Sequence, residues 1–370
     1  MKKEENGIYT FPGFVDVHVH FREPGMTSAE TLKSGVEAAY AGGFSAVVVM
    51  PNTTPAIDTV EAIERQVGAS TDSMRVFSSA SITKNREGRE LSDLERLADA
   101  GAAFFTDDGS YVSDTKLMEE AMRRIADLNM CVCQHAMDPK VLAGGVIRQC
   151  ALAKACNLPV IAPETETVAI ERDLALCRET GCRLHIQHIS TARGVEMVRA
   201  AQREGLPVMA EATPHHLLLC AEDIPSDDAN YKMAPPLGNK EDRAELRRAV
   251  KDGVLMFATD HAPHPFSAKN SGFLTSSNGI IGLETAIAIT YAVMVEEEGM
   301  SLEAWAEAWW KMPRSIVRGL TAPEDSLAED VLKPTKIEVG PLRRFDIEKV
   351  KSLSRNCPYG NMQWRCWPCR

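Results

Sequence analysis

Apolar residues recur along the chain in two alternating rhythms. From residue 14 onward, eight short apolar runs read as strands: FVDVHVH (14–20), FSAVVVM (44–50), RVFSSAS (75–81), AAFFT (102–106), MCVCQH (130–135), RLHIQHI (183–189), PVMAEA (207–212) and VLMFAT (254–259). Between them lie longer stretches such as AETLKSGVEAAYAG and DTKLMEEAMRRIADLN, where apolar residues return every three or four positions, as on the buried face of a helix. Two further helical stretches are expected at 280–298 and 301–318. This alternation predicts an α/β fold with a parallel sheet, and a doubly wound open sheet would show the same periodicity. Eight strands spread over roughly 300 residues favour a (β/α)8 barrel of the TIM type. The expected organisation is a short amino-terminal flank (1–13), the barrel (14–320) and a carboxyl-terminal extension (321–370) whose prolines and charges interrupt any long periodic stretch.

Composition narrows the partners. With 41 Lys and Arg against 52 Asp and Glu the formal charge is −11, and the chain is 44% apolar and 25% charged, as globular proteins are. An acidic chain with no basic cluster offers no electrostatic footprint for nucleic acid or an anionic membrane, so a small molecule is the expected partner. The first dozen residues lack the apolar core of a signal peptide, and no stretch approaches the roughly 20 apolar residues of a membrane span, which reads as cytoplasmic. Seven of the ten cysteines sit in apolar runs and read mostly as reduced core thiols. CWPC, Cys366 to Cys369, has a spacing suited to redox chemistry or to half a zinc site, but no second pair accompanies it.

The first strand carries the densest chemistry. Strict alternation would put Asp16, His18, His20 and Arg22 on one face and Val15, Val17, Val19 and Phe21 on the other, so that two histidines two residues apart can grip one ion. Asp107 and Asp108 follow the fourth run, His135 ends the fifth, His188 nearly ends the sixth, and Asp260 and His261 follow the eighth. Carboxyl ends of strands are where a barrel gathers its catalytic groups, and six ligands from five strands could converge there on one or two divalent ions. Imidazole and carboxylate suit Zn2+ best, and manganese or cobalt would fit the same donors.

Seven motifs then stand in order: DVHVHFREPG (16–25), MPNTTP (50–55), FTDDG (105–109), HIQHIST (185–191), ATPHHLLL (212–219), ATDHAPH (258–264) and GIIGLETA (279–286). Together they resemble the dihydroorotases, of the bacterial type within the amidohydrolase superfamily, in register from about residue 12 to 320. The resemblance implies a zinc-dependent hydrolase that interconverts N-carbamoyl-L-aspartate and L-dihydroorotate in pyrimidine biosynthesis. It implies that His18, His20 and Asp260 bind a first ion, His135 and His188 a second, and Asp108 bridges or shares them, with Asp260 also the general base and acid. On the same basis His20, Arg22, Asn52 and His264 hold the substrate's carboxylate and amide, and Asn278 and Gly279 contact it through backbone. Asp16, His215, His216 and His261 are expected to be structural. Hydantoinases and allantoinases bridge their metals with a carboxylated lysine, and no lysine occurs between Lys84 and Lys116.

Two departures from the family pattern accompany the match. Ala234 and Gly238 in KMAPPLG (232–238) stand where relatives carry asparagine and arginine, and the accessory β-sandwich of relatives is expected to be reduced or absent, although SRNCPYG (354–360) resembles its closing segment. The resemblance also implies a homo-oligomer and a complex with aspartate transcarbamoylase. The alternative readings are a non-catalytic scaffold for that enzyme and another cyclic amidase of the hydantoinase or allantoinase kind.

Overall fold

A computed structural model describes residues 2–3, 8–320 and 335–338. Three short strands, β1 (Lys2–Lys3), β2 (Ile8–Phe11) and β10 (Thr335–Glu338), form an antiparallel sheet in the order β1-β2-β10. The segment 354–360 and the CWPC sequence lie outside the described residues, as does most of 321–370.

The remaining strands are parallel. β3 (Phe14–Val19), β4 (Phe44–Val49) and β5 (Arg75–Ser78) pair in sequence, as do β6 (Cys131–Gln134), β7 (Arg183–Ile186), β8 (Val208–Ala212) and β9 (Met256–Phe257). The run at 102–106 joins the two groups, with Phe105 bridging in parallel to both Ala80 and Val132. It hydrogen-bonds on both sides, as the expected strand would: Ala103 N donates to Ser78 O at 2.8 Å and Thr106 N to Ala80 O at 3.0 Å, while Phe105 N donates to Cys131 O at 3.0 Å and Cys133 N to Phe105 O at 2.8 Å, with each neighbour meeting it at a different height. Such stagger accompanies the shear of a closed barrel. At the opposite seam Val19 bridges to His261, and His20 N donates to His261 O at 2.8 Å. The strands therefore close in chain order, as a barrel does and a doubly wound sheet does not.

Two apolar layers build the barrel, and a smaller third cluster holds Ile147, Tyr231, Leu237 and Phe273. The inner one takes Val15, Val17, Ala46, Val48, Cys131, Cys133 and Met256 from the strands, with Ile316, Val317 and Leu320 packed against their amino ends. The outer one joins barrel to helices, and its largest members, Trp305 and Trp309, both donate their indole N–H groups to Thr290 Oγ1, at 3.2 and 3.0 Å. The surrounding helices begin where the sequence supplies caps, as at Leu32–Ala41 behind Thr31 and Thr115–Asp127 behind Asp114. The helices expected over 280–298 and 301–318 are shorter. Residue 280 is held extended by its bridge to His261, so the first helix starts at Leu283, runs to Thr290 and passes into a π-helical turn, Tyr291–Glu297. The second ends at Arg314, after which the chain turns inward under the barrel.

β3 corrects one expectation with a direct bearing on the site. Val15 and Val17 belong to the inner layer but Val19 and Phe21 to the outer one, and the register with β4 shifts between Asp16 and Val19. An irregularity of this kind re-aims the side chains that follow it. Asp16 is thereby removed from the face of His18 and His20 and set into the closing seam, where its carboxylate accepts from Thr259 N at 3.0 Å, Thr259 Oγ1 at 2.5 Å and His18 N at 3.2 Å.

The seven cysteines among the described residues are all free; Cys131, Cys133, Cys177, Cys182 and Cys220 are buried, Cys150 is half-buried and Cys156 is exposed. Among the described residues no helix is long and apolar enough to cross a membrane.

Candidate active site

The carboxyl ends of the strands bring together all six residues expected to bind metal. His18, His20 and Asp108 offer donor atoms within 4.8 Å of one another, and Asp108, His135 and His188 form a second such group, so Asp108 belongs to both. Asp108 Oδ1 lies 3.4 Å from His18 Nε2, 3.4 Å from His135 Nδ1 and 3.6 Å from His188 Nε2. Asp260 Oδ1 sits beside the first group, 2.9 Å from His20 Nε2 and 3.6 Å from His18 Nε2.

The hydrogen bonds around these rings say what the gap between them suits. His18 Nδ1 lies 2.5 Å from Glu211 Oε1 and His20 Nδ1 2.8 Å from Asn52 Oδ1, and a proton on each Nδ1 leaves the Nε2 lone pairs facing the carboxylates. His18 Nε2 and Asp108 Oδ1 are buried with no hydrogen-bond partner, and His135 Nδ1 and His188 Nε2 converge to 2.8 Å. Lone pairs aimed at lone pairs in a buried space call for cations between them. Electrostatics agree. Burial opposes charge on both partners, yet the carboxylates of Asp108 and Glu211 drive the His18 pKa well above its ordinary range, and the histidines around Asp108, His18 foremost, hold its pKa well below its own, so the site favours positive charge. Two of the six residues, His188 and Asp260, have left-handed φ values of 36° and 50°, a cost that surrounding structure must outweigh and that clusters at functional sites.

The substrate-side candidates line one sector of the mouth. Arg22 is buried, donates through Nε to Pro263 O at 3.2 Å and brings Nη2 to 3.4 Å from His264 Nε2. His264 Nε2 is 2.7 Å from Asn278 O, an acceptor, so this nitrogen carries the proton. Burial, reinforced by Arg22, lowers the His264 pKa to about 4, which keeps the ring neutral. Gly279 has φ +123°, and a Cβ there would meet Ala262 Cβ at 2.7 Å and Ala262 O at 2.8 Å. Gly279→Ala is therefore expected to displace this loop and raise KM with little loss of metal, which steady-state kinetics and metal analysis of one sample will check.

The two departures have different structural contexts. A Cβ on Gly238 would meet Ser190 O at 2.5 Å and Asp242 Cβ at 2.6 Å, while Asp242 already pairs with the buried Arg148 at 3.1 Å. No side chain fits. Gly238→Arg is expected to destabilise the fold by about 1–3 kcal/mol through overpacking, seen as a lower midpoint in denaturant unfolding. Ala234 is half-buried next to Pro235, whose carbonyl lies 3.2 Å from His216 Nε2.

Beneath the ligands lies a set of polar residues the sequence reading passed over. Glu211, fully buried on β8, accepts from His18, from His185 Nε2 at 2.7 Å and from His188 N at 3.2 Å. Although burial raises it, the charge of His18 and hydrogen bonds from both histidines lower the Glu211 pKa to about 2. Gln187 bonds Thr106 Oγ1 at 3.1 Å, and that same hydroxyl accepts from Asp108 N at 3.0 Å. The one signal for Glu211 was a carboxylate inside the apolar run PVMAEA. Asp107 and His261 are structural: Asp107 holds Thr83, and His261 joins Glu30 at 3.0 Å to Gly282 N at 3.0 Å.

Residues 7–194 match a family model described as dihydro-orotase-like. The chain is 45% identical to a dihydroorotase of Bacillus licheniformis over 370 residues, covering 99% of this chain and 86% of that protein. It is 39% identical to a dihydroorotase of Bacillus subtilis, with the same shares covered. Among solved structures, it is similar to an L-hydantoinase (dihydropyrimidinase) from Arthrobacter aurescens, with a TM-score of 0.71 and 25% identity over 84% of this chain and 72% of the other. A dihydroorotase from Saccharomyces cerevisiae in complex with 5-fluoroorotic acid shares the fold, with a TM-score of 0.68 and 18% identity over 87% of each chain.

Proposed function

The chain belongs to the dihydroorotase family of cyclic amidohydrolases, and on that premise we propose that its barrel-mouth centre interconverts N-carbamoyl-L-aspartate and L-dihydroorotate, in pyrimidine biosynthesis. The observation that carries this reading is the pair of ligand groups sharing Asp108 beside a buried arginine.

His18, His20 and Asp108, with Asp260 alongside, suit one divalent ion, and Asp108, His135 and His188 suit a second. Zinc, one or two ions per subunit, matches this imidazole and carboxylate set. Such an ion supplies Lewis acidity at the amide carbonyl and acidifies water at neutral pH.

The protein's own groups do the rest. Arg22 pairs with the substrate carboxylate, and its planar guanidinium suits that anion even within an acidic chain. His264, Asn52 and the backbone at Asn278 and Gly279 orient the ring, so that water meets the amide carbon. In ring opening a C–O bond forms and the ring C–N bond breaks. Asp260 takes one proton from the water and passes it to the departing nitrogen; the water oxygen stays in the new carboxylate, and the second proton is released. Biosynthesis runs the same steps backward. Asp260 suits the role of base: burial raises its pKa, but the adjoining His20 ring, with His18 and His188, outweighs that and keeps it ionised.

A substrate panel tests the reading. Dihydroorotate is expected to turn over and neutral cyclic ureides such as hydantoin and allantoin are not; the reverse preference would assign the site to another cyclic amidase. Chelation is expected to abolish turnover and added zinc to restore it, followed by activity and metal content together. Cytoplasmic residence, self-association and a complex with aspartate transcarbamoylase belong to the same proposal, and size-exclusion chromatography with and without that enzyme addresses the last two. A purely structural scaffold would have no use for six converging ligands.

A further inference from the structure

The carboxyl end of β8 is left unused by the proposed reaction, although it lies between β7, which supplies His188, and β9, which precedes Asp260. The chain leaves β8 through Thr213, which caps the one-turn helix Pro214–Leu218 and so points His215 and His216 from the same turn. The two histidines differ in how their rings are satisfied. His216 is held at both ends, with Nδ1 2.7 Å from Thr213 Oγ1 and Nε2 3.2 Å from Pro235 O. His215 is 93% buried, being 7% exposed, and its Nε2 has no hydrogen-bond partner. Its ring stands on the turn that leaves the carboxyl end of β8, within electrostatic reach of Asp260, His188 and His18. Burial, opposed by Asp260 and reinforced by the two histidines, lowers its pKa to about 4, so the ring is neutral.

A buried polar nitrogen is expensive to leave unpaired, and protein interiors rarely do so unless a ligand or water completes the bond. We infer that His215 is a substrate-contacting residue, its Nε2 hydrogen-bonding a polar atom of the dihydroorotate ring on the β8 side of the site, between Asp260 and His188. The inference rests on the proposed reaction and adds to it a residue from the carboxyl end of β8. Because the bond is made to the bound ring as well as along the reaction, it acts on binding more than on turnover.

The test is steady-state kinetics of zinc-loaded His215→Ala and His215→Gln beside the wild type, with metal content and circular dichroism of each sample. His215→Ala is expected to raise KM for dihydroorotate about tenfold to a hundredfold, with kcat within about threefold and metal content unchanged. His215→Gln, whose amide nitrogen reaches to about the same distance as Nε2, is expected to recover most of the loss. A wild-type KM in His215→Ala overturns the inference. So does a variant that loses metal in step with activity, or a glutamine variant no better than alanine, since either marks a structural role. Wild-type protein that neither binds nor opens dihydroorotate overturns the proposed reaction along with it, whereas an active wild type with an indifferent His215→Ala overturns this inference alone.

Discussion

Asp260→Asn is expected to lower kcat for ring opening by about 10²–10⁴-fold, the usual contribution of a positioned acid–base group, while leaving the fold in place. The substitution separates chemistry from structure unusually well. Asp260 adopts φ 50°, and asparagine is among the few residues that tolerate the left-handed region, so the backbone that presents the group is kept. The amide retains a carbonyl oxygen to stand 2.9 Å from His20 Nε2 but cannot accept and return a proton. Kinetics, metal content and thermal midpoint of the same preparation check the prediction; a variant with wild-type kcat would remove Asp260 from the proton path.

Glu211→Ala is expected to do more damage than any substitution at the substrate side. The carboxylate is the shared acceptor of His18, His185 and the His188 backbone in a fully buried layer, so its removal strands three donors. Breaking a buried charged network by deleting one partner costs about 3–5 kcal/mol. Because the carboxylate fixes which His18 nitrogen faces the centre, zinc affinity is expected to fall about 10–100-fold as well. Glu211→Gln keeps the volume but brings an N–H₂ group toward one ring, and an intermediate loss is expected. Acid sensitivity gives an independent reading. The folded pKa of about 2 lies below the ordinary 4.5, so this group's stabilisation is present above about 4.5 and is lost as the pH falls toward 2. Acid unfolding of the metal-free wild type is expected to be steeper over that window than that of Glu211→Ala. Chemical denaturation, competitive zinc titration and acid unfolding measure the three effects.

Much of the architecture is legible in the chain because a parallel barrel writes the same unit repeatedly. Each apolar run and the amphipathic stretch after it reports a strand and its helix, and the ligands fall at run ends, where the sequence can be read without knowing the fold. What escapes is decided between strands. The register shift in β3 exists only relative to β4, so alternation within one strand grouped Asp16 with His18 and His20, when Asp16 closes the seam to Thr259. Glu211 and His185 lie inside runs legible only as strands, and it is closure of the barrel that brings them together in one buried layer. Gly238, a departure in sequence, proves to be a packing requirement set by Ser190 and Asp242, residues distant from it along the chain or across a loop.

The most direct test of the central claim is ring opening of dihydroorotate by the zinc-loaded full chain, with zinc counted on the same sample. The account predicts turnover from protein carrying one or two ions at the His18, His20, Asp108, His135, His188 and Asp260 centre. Protein that holds its zinc and leaves dihydroorotate untouched would contradict it.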